Sequence, residues 1–367
     1  LMGMVGTRRS LYYSKYPYFP HWKDGKVRSQ HNQTSTNTRR ASASKPNLQQ
    51  LPKHPKIEGY EAKFRSIVRP HKPNAVVVSI DFDSQEMRLI GEQSGDKTVL
   101  SMFIGDKLTG PHSLTGLAIA MRKKPALEWS YEVFEAIRED KAHPEHAFVK
   151  ACRVLGKKLN FVAEYGAMAP KVAATLLISE EEAQLLLDAR EEMFPDVVLW
   201  KKATIAEAKR VGYVLTMLGA KRHLRDLLMS DDRFEASKAE RQAVNFKVQS
   251  PAGEMTKQAE GRMWNDNIYF DFDAVCCGPI HDEVVSSCVV DQLVEFIQRK
   301  HACMAVQYAG MKVPVVGSIS FGLDFYNQVE IGIEPTREAI EAGLVKMYAE
   351  AAKRTAAKND ARMLLAA

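Results

Sequence analysis

The stretch VVVSIDFDSQEMR, residues 76–88, decides the fold. Residues 76–82 are dominated by Val and Ile and lack the alternation of a half-solvated strand. Such a run reads as a strand covered on both faces. It closes on three acids, Asp81, Asp83 and Glu86. Residues 84–95 read as a short helix. Asp83 stands three places before Glu86, the spacing of a capping box with Asp83 at the N-cap and Glu86 at N3. That accounts for two of the acids and leaves Asp81. A carboxylate that closes a buried strand is costly unless it is paired or holds a metal.

A second stretch, IHDEVV (280–285), has apolar residues on both sides and places His281, Asp282 and Glu283 at the tip of a hairpin. Turn chemistry alone accounts for an Asp there. Two strand-terminal carboxylates, Asp81 and Asp282, are also what a two-metal phosphoryl-transfer site needs. Mg²⁺ is held by few carboxylates together with substrate phosphates, so two acids suffice.

The third stretch is RVLGKKLNFVAEYG (153–166), on a long helix. At about 100° per residue, Leu155, Leu159 and Val162 fall together as a core face. Arg153 and Lys157 lie one turn apart on the other side, with Phe161 and Tyr165 along its edge. A charged stripe is ordinarily a solvated face. Cations beside aromatic rings also suit a nucleoside triphosphate, with charge for the phosphates and a flat ring against the base.

The remainder of the chain frames these stretches. Its 367 residues are 45% hydrophobic and 26% charged, ordinary for a globular protein of two or three domains. No apolar run approaches the roughly 18 residues of a membrane span. The five cysteines form no CxxC pair, which argues against a zinc site or disulfide framework and for a reducing compartment. A net charge of +6 hints at an anionic partner, and residues 1–75 carry much of the basic excess. By composition, residues 32–53 would pass for a disordered linker.

Residues 112–210 are helical in pattern, with boundaries at Pro144 and Ser179. GYVLTMLGAKRHLRD (212–226) reads as a hairpin turning near Gly219. A helix is expected over 235–250, broken by SPAG and resumed to 265. Residues 269–290 read as strand, turn, strand, then helix to 310, then a last strand in VPVVGSISFG. The Ala-rich tail from Pro335 reads as a helix with Ile340, Leu344, Met347 and Tyr348 on one side. Strands and helices are segregated, which predicts an α+β fold: an antiparallel sheet with a helical insertion.

In this order, the three stretches resemble the catalytic motifs of the family-A (Pol I-like) DNA polymerases, especially the phage branch. DFDSQEMR is similar to D-x-x-x-x-E-L-R, RVLGKKLNFVAEYG to R-x-x-x-K-x-x-N-F-x-x-x-Y-G, and IHDEV to V-H-D-E. TRRASASKPNLQQLP, GYVLTMLGAKRHL and ERQAVNFKVQ also match family segments, so the resemblance spans roughly residues 30–328. It departs at Asp83, an added acid, and at SAS, where the family has Ser-Ser.

The resemblance implies a right-hand polymerase palm with a helical fingers insertion and the thumb mostly missing. Residues 1–75 would hold a thumb remnant and a template/primer segment, 76–108 and 211–330 the palm, 109–210 the fingers, and 331–367 a helical extension. Asp81 and Asp282 would bind two Mg²⁺ (Mn²⁺ as an alternative), with Glu283 beside them as a further catalytic residue. His112, Arg153, Lys157, Phe161 and Tyr165 would bind the dNTP, and Glu86 would reject a 2′-hydroxyl. Arg40, Arg88, Arg241, Asn245, Gln249 and His281 would contact primer–template DNA. Arg241, Asn245 and Gln249 share one helix face by spacing. The implied activity is template-directed addition of dNTPs to a primer 3′-hydroxyl.

Only about 30 residues precede the matched stretch, which implies no exonuclease in this chain. A separate chain carrying thumb and exonuclease, or a processivity factor, would then be a partner. No membrane association is expected, and the location is cytoplasmic, that of the bacterial host if the gene is phage-borne. Two rival functions share the features: a single-subunit RNA polymerase and a non-catalytic DNA-binding subunit.

Overall fold

The computed structural model describes residues 22–51, 64–105, 108–163 and 168–366. In chain order its main elements are β1 Ala75–Phe82, α1 Gln85–Ser94, α2 Pro111–Lys123, α3 Tyr131–Glu139, α4 His146–Ala163, α5 Ala169–Leu176, α6 Glu180–Met193, α7 Pro195–Val211, α8 Arg233–Asn265, β2 Ala274–Ile280, β3 Glu283–Val289, α9 Leu293–Met304, β4 Gly317–Gly322, β5 Gln328–Gly332 and α10 Arg337–Ala366. They divide into two compact units. One holds Leu1–Gln85, Ala252–Tyr308 and Val315–Ala367; the other holds Glu86–Pro251 and Ala309–Pro314. The divisions thus fall at Gln85/Glu86, Pro251/Ala252, Tyr308/Ala309 and Pro314/Val315. No helix among the described residues is long and apolar enough to cross a membrane.

The first unit is built on a five-stranded sheet, ordered β5-β4-β1-β3-β2 and antiparallel throughout. The continuous apolar run of β1 is explained by its central place: Ala75 through Ile80 are all buried. Helix α9 packs Leu293, Phe296, Ile297 and Met304 inward. Helix α10 buries Ile340 and Met347, while Tyr348 is exposed and leaves the expected apolar side. Gly343 lets α10 approach closely: a Cβ there would stand 2.7 Å from the Phe321 ring on β4.

The stretch with linker-like composition is folded over its described residues, 32–51. Gln30–Asn32 pairs with Ser42–Ser44, and Leu48–Gln50 forms a short helical turn capped by the Asn47 side chain. Three strand expectations are corrected. Residues 268–271 form a helical turn, not a strand; the strand expected over VPVVGSISFG is confined to Gly317–Gly322; and β5 adds a strand beyond it.

The second unit is helical. Leu117, Ile119, Phe134, Val149, Leu159 and Leu186 form the centre of a core shared by α2, α3, α4 and α6. Ser179 caps α6 as expected, its hydroxyl accepting from Glu182 N. A smaller core joins the Tyr213–Leu215/Lys221–His223 hairpin to α8 through Val214, Leu224, Ala243 and Phe246. Gly219, at φ 85°, makes the expected turn.

Asp96, 1% exposed, caps two helices at once. Its Oδ1 accepts from Thr98 N and Val99 N, and its Oδ2 from Asp196 N and Val197 N at the start of α7.

The expected break at SPAG is absent: α8 runs through Pro251. A proline inside a helix deprives the carbonyl four residues back of its N–H partner. That carbonyl belongs to Lys247, and the Gln93 side-chain amide donates to it at 2.9 Å.

Candidate active site

In the sheet unit, the register of β1 and β3 sets the acids. Asp81 is the direct cross-strand partner of Glu283 and, on its other side, of Ser318. Asp282 is in the turn between β2 and β3, and Phe82 N donates to its carbonyl at 3.3 Å. His281 makes that turn with φ 63°. Asp81 is exposed and Asp282 and Glu283 are half-buried, so carboxylates gather at the solvent end of the central strands.

Their environments differ. Burial raises the Glu283 carboxyl above its usual range, opposed by a hydrogen bond from Ser79 and by the Arg65 charge. The Ser79 hydroxyl in turn accepts from Gln328 Nε2 at 2.9 Å. Desolvation, then the Arg40 guanidinium, lowers the His281 imidazole.

The capping expectation is corrected. Helix α1 begins at Gln85, so Ser84 takes the cap position with φ 50°, and Asp83 lies one residue earlier. The Asp83 backbone N–H donates instead to Val316 O, ahead of β4. Glu86 is the second residue of α1 and half-buried.

In the helical unit, a glycine pair brings α2 against α4. A Cβ on Gly116 would lie 2.8 Å from Arg153 Cα, and one on Gly156 would lie 2.7 Å from Gly116 N and 2.9 Å from His112 O. This close crossing gathers three cationic or potentially cationic groups. Arg153 Nε donates to Ser113 Oγ at 3.1 Å. Burial, then the Lys157 and Arg153 charges, pull the His112 imidazole down. Its Nδ1 is buried and has no hydrogen-bond partner among the described residues.

Gly156→Ala puts a methyl against backbone that cannot turn aside. It is expected to destabilise the unit by about 2 kcal/mol. Urea unfolding reads this, and an unchanged midpoint would contradict the close crossing.

Asn160 lies on the same helix and is buried. Its Oδ1 accepts from Thr115 Oγ1 and Arg190 Nε, and its Nδ2 donates to Pro111 O. It ties α2, α4 and α6 together. Phe161 lies on α4, while Tyr165 lies outside the described residues.

The remaining expected contact residues fall in both units. In the sheet unit, Arg40 packs against Gly253, where a Cβ would stand 3.0 Å from Arg40 Cα. In the helical unit, Arg241, Asn245 and Gln249 are half-buried along α8, and Arg241 Nη1 donates to Ser237 Oγ. Arg88 stacks 4.3 Å from the Phe103 ring centre and donates to Pro314 O, so its guanidinium is engaged within the protein.

Comparison with known proteins is decisive here. The model of DNA polymerase family A matches residues 4–327. The chain belongs to this family.

The match starts well before residue 30, where the motif resemblance began. Among curated family-A relatives, the thermostable DNA polymerase I of Thermus aquaticus is 26% identical over 324 residues, 88% of this chain and 35% of that protein. The DNA polymerase I of Bacillus caldotenax is 26% identical over 307 residues, 82% of this chain and 31% of that one. The chain therefore spans about a third of the length of these relatives. A solved structure described as the POL domain of Pol1 from M. smegmatis, in complex with DNA primer-template and dNTP, shares the fold. It matches with a TM-score of 0.68 and 24% identity, covering 83% of this chain and 49% of that one. The antiparallel sheet with its helical insertion is thus the palm-and-fingers architecture of the family.

Two residues of this family-A chain escaped the motifs. Arg65 lies close enough to Glu283 and His281 to bias both, and is fixed by Leu51 O and the Phe325 ring. Its only signal was a place in FRSIVRPHK, ten or so residues before β1. Lys300 is fully buried on α9. Its signal was phase: with Phe296, Ile297, Cys303 and Met304 it occupies the apolar stripe of the helix.

Proposed function

We propose that the chain is a DNA-directed DNA polymerase of the phage-type branch, adding dNTPs to a primer 3′-hydroxyl by a two-metal mechanism in a bacterial cytoplasm. The observation that carries this reading is the β1–β3 register, which sets Asp81 opposite Glu283 with Asp282 in the adjoining turn. These are hard oxygen donors at a solvent-facing strand end, a set that fits Mg²⁺ or Mn²⁺. Among the described residues, no group of three or more His, Cys, Asp or Glu converges into a metal cage.

Asp81 and Asp282 would hold the ions. When bound there, they acidify the primer hydroxyl and offset charge on the transferring phosphoryl group. Arg153 and Lys157 bind the triphosphate and neutralise the departing pyrophosphate. Burial, then the Lys157 and Arg153 charges, lower the His112 imidazole, and an anion arriving beside it would act in the opposite direction. Phe161 and Tyr165 would meet sugar and base. Arg40, Arg241, Asn245, Gln249 and His281 would hold primer–template, and Arg88 would act beside them while anchored on Phe103. Phosphate contacts position DNA, and pairing supplies sequence.

Glu86 is the sugar gate in this reading. Glu86→Ala is expected to raise ribonucleotide insertion relative to deoxynucleotide insertion on the order of 100-fold. Single-nucleotide extension with matched dNTP and rNTP reads it. A parent chain that already prefers rNTPs would replace this reading with an RNA polymerase.

A further inference from the structure

Lys300 has no part in the mechanism above, yet its placement is unusual. It projects from α9 into the sheet unit and is 0% exposed. Its Nζ donates to Val284 O at 2.7 Å and to Val78 O at 3.2 Å. Val284 lies on β3, two residues after Asp282. Val78 lies on β1, three residues before Asp81. One ammonium group thus bridges the two strands whose ends carry the candidate metal ligands.

It does so from the opposite face. A Cβ on Gly317 would lie 2.8 Å from Ile80 Cγ2 and 3.5 Å from His301 Cδ2, so Ile80 and α9 share a side of the sheet. Strand alternation then turns Asp81 to the other side.

A buried cation is expensive. Burial pulls the Lys300 ammonium down to about 8. Replacing a buried ion pair by apolar groups of similar volume is often neutral or stabilising, because the desolvation of the charges is no longer incurred, and a buried ammonium bears that same cost. Packing alone would therefore be served as well by methionine. What methionine lacks is a donor that reaches both strands.

We propose that Lys300 is a positioning residue, clamping β1 to β3 so that Asp81 and Asp282 are held in register for divalent metal. This rests on the polymerase reading for its catalytic consequence, but not for its effect on metal binding.

The test uses the full chain and Lys300→Met, with Asp81→Asn as reference. Three quantities are read: thermal stability, Mn²⁺ binding followed by electron paramagnetic resonance, and kcat and dNTP KM for primer extension across a Mg²⁺ titration. The expected result is unchanged or raised stability, metal binding weakened about tenfold, kcat lowered about tenfold and dNTP KM within about twofold of the parent.

A split of this kind is not produced by loss of packing. Metal binding within about twofold of the parent overturns the proposal. So does tighter binding, which would mean that the ammonium acts on the ion only through charge repulsion. A fall in stability that accounts for the lost activity also overturns it, since Lys300 would then be structural. If the parent binds Mn²⁺ in an Asp81-dependent way but extends no primer, the polymerase reading fails while metal binding still decides the role of Lys300. If the parent shows no Asp81-dependent binding, both fall.

Discussion

Asp81→Asn is expected to lower the rate of primer extension on the order of 1,000-fold, equivalent to about 4 kcal/mol of transition-state stabilisation. The substitution keeps size and shape and removes the negative charge. Asp81 is exposed at the end of β1, and its strand pairing with Glu283 and Ser318 is made by the backbone. Folding should therefore be little affected. Asp282→Asn should fall as far.

Glu283→Gln should fall less, because Ser79 holds that carboxylate and burial opposes its charge. Rates are compared at saturating primer–template, with stability measured alongside. A loss below about tenfold for Asp81→Asn would remove it from the metal site.

Asp96→Ala is the largest expected loss of stability. One buried carboxylate serves four backbone N–H groups at two helix starts separated by a hundred residues of chain. A helix cap contributes about 1 kcal/mol, and hydrogen bonds to a charged group contribute more. The helix dipoles at both N-termini also favour negative charge there. Losing both caps, with two of the four N–H groups buried and two half-buried, should destabilise the helical unit by about 3 kcal/mol. Asp96→Asn keeps an acceptor and should lie between. The midpoint of urea unfolding reads the series, and a parental midpoint for the alanine variant would contradict the double-cap account.

What could be read from the sequence follows the range of each interaction. The β1 run, the HDE turn and the apolar face of α4 are written in neighbouring residues: Ala75 through Ile80 are buried, His281 and Asp282 make the turn ahead of Glu283, and Leu159 lies in the core of the helical unit. The proline-containing stretch of α8 could not be read in that way. What keeps the helix whole is Gln93, 154 positions away in the chain from Lys247. Asp96 was passed over for the same reason: its local partners mark an ordinary cap, and its second pair of donors comes from residues 196–197.

Asp83 misled through spacing alone. The capping-box pattern was present, but Ser84 turns through φ 50° and the helix starts one residue later than that pattern requires. Lys300 carries a local signal, its place in the apolar stripe of α9, but its two carbonyl partners lie 16 and 222 positions away in the chain. Asn160 belongs to the core for a reason its own stretch does not contain: α2 covers it, and Thr115, Pro111 and Arg190 satisfy its amide.

We propose that Asp81 and Asp282 form the metal site of a template-directed polymerase. Extension of a labelled primer on a defined template, with dNTPs and increasing Mg²⁺, tests it most directly. The expected result is addition of the templated nucleotide, dependent on the divalent ion, absent with Asp81→Asn and strongly favouring dNTPs over rNTPs. Binding of the same primer–template with no extension at any Mg²⁺ or Mn²⁺ concentration would contradict it, and would leave a DNA-binding protein that keeps the polymerase fold.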